Sequence, residues 1–257
     1  MYTHDLDPVL FDFGFLVIRW YSLAYIFGIL IGWWLGKRII LERFQNFNFV
    51  AKEFDNLITY IIISMLLGGR IGYILFYNFG YYSSNPLDIL KIWEGGMSFH
   101  GALVGIIFGT YWFSIKKNIP AFFLLDIVAF VAPIGIFFGR VANFINGELV
   151  GKTTDVFWGV IFPKIDSNIR HPSQLYEAFL EGLVLFIIMN LILFKNNYKT
   201  GTCSYIFLIF YGIFRIFSEF YREPDLQVGY LFDLMSMGTL LSIVMILAGI
   251  IIFFKKR

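Results

Sequence analysis

Seven stretches of about twenty mostly apolar residues constrain this chain more than any other feature. They run roughly over 16–36, 57–77, 97–115, 121–139, 174–194, 202–220 and 232–254. A bilayer's hydrocarbon layer is about 30 Å thick, so a helix needs about 20 such residues to cross it. The pattern predicts an all-α polytopic membrane protein with seven transmembrane helices. Composition agrees, because 58% of residues are hydrophobic and 15% are charged, against roughly 25% charged in a soluble domain. Strand-length segments of alternating hydrophobicity are absent, which argues against a transmembrane barrel.

Basic residues fix an expected orientation. Lys37, Arg38, Arg43 and Lys52 follow the first segment, Lys116 and Lys117 the third, Lys195 and Lys199 the fifth, and Lys255, Lys256 and Arg257 the seventh. The positive-inside rule places those loops in the cytoplasm, with the N-terminus outside and the C-terminus cytoplasmic. Asp5, Asp7 and Asp12 near the start give no basic leader, so no cleavable signal peptide is expected. Connections are short except at about 140–173, which is too polar to span and is expected to fold back on the bundle from the extracytoplasmic side. No internal repeat is evident, so residues 1–257 read as a single transmembrane domain.

Several function classes fall away. A formal charge of +2 gives no basis for nucleic-acid binding. The single cysteine, Cys203, excludes an intrachain disulfide and a cysteine metal cluster, and it reads as a small apolar filler. The three histidines lack zinc-protease spacing.

Ionisable residues inside or beside the apolar segments stand out, because a charge within a bilayer is costly and usually marks a reactive site or path. On the expected topology, Arg19, Arg70, His100, Arg140, Glu177, Arg215, Glu219 and Asp233 all fall toward the outer ends of their segments. Asp126 lies toward the cytoplasmic side, and Glu181 lies one turn deeper than Glu177. Several arginines in one headgroup plane suit a phosphate, whose oxygens match the guanidinium fork. Glycine-rich stretches at 68–72, 95–101 and 146–148 read as turns through which backbone approaches a ligand. Plainer readings stand beside this one. Arg19 and Arg222 also suit snorkelling to the interface. Arg215 and Glu219, four apart, suit a structural ion pair. His100 suits a satisfied core histidine, and Asp126 a structural pairing.

The motifs then carry a resemblance. The run Gly139-Arg140-Val141-Ala142-Asn143-Phe144-Ile145-Asn146-Gly147-Glu148, with Gly151 following, is similar to the signature of the prolipoprotein diacylglyceryl transferase family. Trp20-Tyr21, Gly69-Arg70, His100-Gly101, the run Arg170-His171-Pro172-Ser173-Gln174-Leu175-Tyr176-Glu177 and the block from Arg215 to Asp225 match further family motifs in order. The resemblance covers nearly the whole chain. Ala102 stands where the family usually has a second glycine after the histidine, and Val141-Ala142 varies the usual aliphatic-glycine pair.

The resemblance implies a bacterial cytoplasmic (inner) membrane enzyme with its active site facing outward. It would move the diacylglyceryl group of phosphatidylglycerol to the lipobox cysteine thiol of a prolipoprotein signal peptide. The product would be a thioether, and glycerol phosphate would leave, with no cofactor or metal needed. Its implied catalytic residues are His100, Arg140 and Arg215. Arg140 and Arg215 would hold the phosphate, and Arg70 would bind substrate. Tyr21, Asn143 and Asn146 would orient the headgroup or loop, Glu219 would orient Arg215, and Gly151 would permit a tight turn. The thiol's proton acceptor stays open between His100 and a thiol acidified by the arginines. Two alternatives stand beside this reading: an anionic-lipid transporter, and a non-catalytic lipid-binding membrane protein.

Overall fold

The computed structural model describes residues 2–14, 17–91, 95–195, 198–224, 229–231 and 235–256. Asp225, Asp233 and Arg257, named above, lie outside the described residues. Short strands β1 (Tyr2–Thr3), β2 (Val9–Asp12) and β3 (Val17–Arg19) lead into α1 (Trp20–Arg43). Then follow α2 (Asn48–Tyr77), α3 (Phe79–Ser84), α4 (Phe99–Lys117) and α5 (Ala121–Asn146). Strands β4 (Val160–Ile161) and β5 (Ile169–Arg170) precede α6 (Ser173–Glu177), a π-helical stretch Ala178–Val184 and α7 (Leu185–Leu193). The chain closes with α8 (Thr202–Glu219), β6 (Tyr230–Leu231), β7 (Met235–Ser236) and α9 (Met237–Lys256).

Among the described residues, six helical rods are long and apolar enough to cross a membrane. They are α1, α2 with its lead-in from Gln45, α5, the rod Ser173–Leu193, α8 and α9. The expected third segment forms α4, which is not among the six. Of its buried positions, Gly101, Gly105, Gly109, Thr110 and Ser114 are small or polar and Phe113 is large and apolar. Its outward positions Val104, Phe108, Trp112 and Ile115 are apolar and exposed. That division suits a helix packed on one side and wetted by lipid on the other.

The chain divides into two compact units: residues 1–36 with 128–257, and residues 37–127. In the second unit, α2 packs along α4. A Cβ added at Gly72 would lie 2.7 Å from Gly101 Cα, so only glycine lets the two backbones meet there. The stretch 68–72, expected as a turn, is therefore mid-helix, and its glycines serve helix packing. Gly95 and Gly96 do form a turn, both with positive φ. Ala102 is accommodated beside Gly69, whose added Cβ would be 3.5 Å from the alanine methyl.

In the first unit, β4 pairs with β1 in parallel and with β5 antiparallel. Val150, Val160 of β4 and Phe162 form a buried cluster, with Phe144 packed against it. His4, following β1, packs between Phe144 and Phe162 and donates through Nε2 to the Phe144 carbonyl at 2.7 Å. The small sheet thus grips the end of α5. Helix α5 itself continues to Asn146, further than the expected break near 140. Arg140, Asn143 and Asn146 are three apart, so helical continuation puts them on one face.

Candidate functional site

Arg140, on α5, projects toward the rod that begins at Ser173. Its Nη1 lies 2.7 Å from Glu177 Oε2 and its Nη2 3.1 Å from Glu181 Oε2. Arg215, on α8, reaches the same carboxylates: Nη1 lies 2.9 Å from Glu177 Oε1 and 3.7 Å from Glu181 Oε1. Its Nη2 also pairs with Glu219 one turn along α8. Arg222 Nη1 approaches Glu219 Oε1 at 3.5 Å. Three arginines and three glutamates therefore form one connected network. Glu177 and Glu181 are 1% and 0% exposed, and Arg140 is 12% exposed. Ser236 Oγ donates to Glu219 Oε2 at 2.7 Å, which ties the start of α9 to the network.

Local structure explains the convergence. The π-helical stretch from Ala178 to Val184 is a geometry often found at functional sites. It contains Glu181 and begins directly after Glu177. A Cβ at Gly182 would fall 2.6 Å from Phe137 Cβ, so this rod approaches α5 only because residue 182 is glycine. Phe137 precedes Arg140 by one helical turn, and the same close packing brings Arg140 within reach. In the network Glu181 Oε1, 3.7 Å from Arg215 Nη1, has no hydrogen-bond partner among the described residues. Buried oxygens of this kind mark places for water or ligand.

A second group forms around Glu148. Its carboxylate accepts from Asn143 Nδ2 at 2.7 Å and from Asn146 Nδ2 at 3.2 Å. Gly147 takes φ +69° after the helix end, and the Glu148 amide donates back to the Asn143 carbonyl. The Tyr21 hydroxyl, 3.4 Å from that of Tyr25, has the Asn143 side chain and Glu148 as neighbours. Gln174 Nε2 donates to the Glu148 carbonyl at 2.6 Å, linking this group to the start of α6.

Beyond it the chain is clamped on both sides. Gly151 N donates to the His171 carbonyl and Lys152 N to the Tyr221 carbonyl. A Cβ at Gly151 would lie 2.7 Å from the Tyr221 carbonyl oxygen and as close to His171 Cβ, so any side chain would push the clamp apart. Arg170 Nη1 donates to the Gly151 carbonyl at 2.9 Å, and its Nη2 pairs with Asp166 at 2.6 Å. Hydrogen bonding from Arg170 lowers the Asp166 carboxyl to about 2. Burial lowers the proton affinity of His171, whose ring stands edge-on to Tyr176 and Tyr221.

Arg70 and His100 belong to the other unit. Arg70, buried on α2, donates to five carbonyls: Asp88, Ile89, Lys91, Gly95 and Gly96. It also stacks over Tyr82. His100 is half-buried in the first turn of α4, whose N-cap Ser98 accepts from the Gly101 amide. Arg19 is exposed on β3, and Asp126 and Cys203 are buried.

The structure thus joins Arg140, Arg215 and Glu219 in one network, and Tyr21, Asn143 and Asn146 in a second. Sequence reasoning set Glu181 apart from the charged layer and gave Glu177 no role. The available signal was cost: two carboxylates four apart in an apolar segment require cationic partners.

A family model described as prolipoprotein diacylglyceryl transferase matches residues 8–255. The chain is similar to proteins named phosphatidylglycerol–prolipoprotein diacylglyceryl transferase from several bacteria. One from Ehrlichia canis (strain Jake) is 53% identical over 248 residues, 95% of this chain and 94% of that protein. One from Rickettsia bellii (strain OSU 85-389) is 50% identical over 255 residues, 98% and 96% of the two chains. One from Rickettsia rickettsii (strain Sheila Smith) is 51% identical over 247 residues, 95% of each.

Proposed function

This chain belongs to the prolipoprotein diacylglyceryl transferase family, and from that premise we propose that it transfers the diacylglyceryl group of phosphatidylglycerol to a prolipoprotein's lipobox cysteine. Membership over residues 8–255 is the observation that carries the reading. The reaction is an alkyl transfer. The cysteine sulfur bonds to the glyceryl carbon, the bond from that carbon to the phosphate oxygen breaks, and its electron pair leaves with glycerol phosphate. The thiolate is the nucleophile, so the thiol proton first passes to an acceptor, for which His100 is the candidate.

Arg140 and Arg215 receive the phosphate. Charge on its oxygens rises as the carbon–oxygen bond breaks, and fixed guanidinium donors stabilise that charge most at the transition state. Glu219 orients Arg215 through their ion pair. Tyr21, Asn143 and Asn146, gathered around Glu148, orient the headgroup. Gly151 lets the following segment lie in its clamp. Arg70 serves the substrate through the segment it holds: its bonds to Gly95 and Gly96 set the entry into α4, and with it His100.

The working topology has seven spans, with α4 added to the six. Nineteen residues reach about 28 Å, close to a bilayer core, and Lys116 and Lys117 end α4 as cytoplasmic anchors. The N-terminus lies outside, the C-terminus is cytoplasmic, and the site faces outward from a bacterial inner membrane. Residues 1–257 work as one membrane domain.

The test is reconstitution in vesicles with phosphatidylglycerol and a lipobox peptide. The expected result is a peptide mass gain of one diacylglyceryl unit that disappears with a Cys→Ser peptide and with Arg140→Ala. Folded protein that binds the lipid and yields no adduct would leave the lipid-transport or lipid-binding alternatives in its place.

A further inference from the structure

The arginine network has a charge balance unlike that of a site built only to hold phosphate. Arg140, Arg215 and Arg222 are joined to Glu177, Glu181 and Glu219, and the formal charges cancel. Two of those carboxylates are fully buried and lie on the guanidinium groups proposed to receive the phosphate. Glu181 is held more loosely than Glu177. Its ion pairs are 3.1 and 3.7 Å, against 2.7 and 2.9 Å for Glu177. The close approach of Gly182 to Phe137 brings the rod that carries both carboxylates against α5, so their presence is not incidental.

A dianionic product next to bare buried arginines would dissociate slowly, because opposite charges attract strongly where water is excluded. Carboxylates on the same guanidinium groups weaken that attraction. We propose that Glu177 and Glu181 tune this site for product release, with Glu181 the main brake on glycerol phosphate affinity. The arginines still stabilise charge developing in transfer, while the carboxylates keep the separated phosphate from staying. The inference rests on the proposed transferase reading and adds a role that phosphate binding does not require.

The experiment uses full-length protein in vesicles, with glycerol phosphate as an added inhibitor. Three enzymes are compared: the unaltered chain, Glu181→Gln and Glu177→Gln. Glu181→Gln is expected to lower the inhibition constant for glycerol phosphate by at least about tenfold, the scale of one unit charge removed at a few ångströms in a partly buried site. The ratio of single-turnover rate to steady-state rate should rise, since release becomes slower relative to transfer. A merely structural glutamate would change thermal stability and leave both readouts unmoved. A folded Glu181→Gln enzyme with unchanged or weaker inhibition would overturn the proposal. If that variant does not fold, Glu177→Gln is expected to shift inhibition in the same direction, and no shift there would overturn it. If neither folds, the unaltered enzyme decides. Inhibition by glycerol phosphate well below the half-saturating phosphatidylglycerol concentration would overturn the proposal, and inhibition only well above it would support it. Absence of transfer by the unaltered enzyme would instead remove the transferase reading.

Discussion

Arg140 and Glu177 meet at 2.7 Å although they stand on different helices and neither faces open solvent. Burying an arginine–carboxylate pair is favourable only when geometry and remaining donors are well satisfied. Here the same guanidinium also meets Glu181, so both of its terminal nitrogens are engaged.

Arg140→Lys is expected to reduce transfer by about 10²-fold or more, the loss typical of removing one transition-state donor. Lysine keeps the charge but offers one ammonium where two carboxylates are met by a planar fork. Near-normal kcat/KM for Arg140→Lys in the vesicle assay would remove the bidentate role.

Gly182→Ala tests how the helices were brought together. The new methyl would stand 2.6 Å from Phe137 Cβ, and overpacking of this kind costs about 1–3 kcal/mol. A lower melting temperature in detergent is expected, with loss of transfer exceeding the loss of folded protein because Arg140 shifts with α5. A Gly182→Ala enzyme as stable as the unaltered one would show that the contact relaxes without consequence.

Gly151→Ala should damage the clamp between residues 150–153 and the segments at 170–172 and 220–223. Amide exchange at Gly151 and Lys152, whose N–H groups bond to His171 and Tyr221, should accelerate strongly. Exchange equal to that of the unaltered chain would mean the clamp absorbs a methyl group.

Asp166 and Arg170 give a pH dependence with a definite sign. The Asp166 carboxyl is lowered to about 2 by Arg170, below its ordinary value near 3.9. Its contribution to stability is therefore complete above about pH 4 and is lost as pH falls toward 2. Asp166→Asn should be less stable than the unaltered protein at pH 6, and the difference in melting temperature should shrink as pH falls and vanish below pH 2. A difference that stays constant across that range would assign the pair no role.

Much of this was legible in the residues, for physical reasons that differ by element. Apolar length marks a membrane helix irrespective of its partners, and each expected segment overlaps helix in the described residues, with ends that differ by up to nine positions. Helix α2 begins earlier, at Asn48, because its polar first turns lie outside the apolar window. The glycines at 68–72 were misplaced as a turn because glycine serves both backbone turns and close helix packing, and only the neighbour at Gly101 decides between them. Arg140, Arg215 and Glu219 stood out as charges in apolar surroundings. The join of Arg140 to Glu177 and Glu181 did not, because it depends on how closely two helices far apart in sequence approach. Nor did the commitment of Arg70 to carbonyls at 88–96, since backbone acceptors are the same at every residue.

The hydroxyl of Ser236 holds Glu219 from just before the last helix, and Glu219 in turn holds Arg215. The final stretch of the chain thus completes the charged network as well as adding an apolar rod. A premature stop codon a few dozen positions from the end of the reading frame would delete that hydroxyl together with α9, and should behave genetically as a null allele even though Arg140, Arg215 and Arg222 had already been translated.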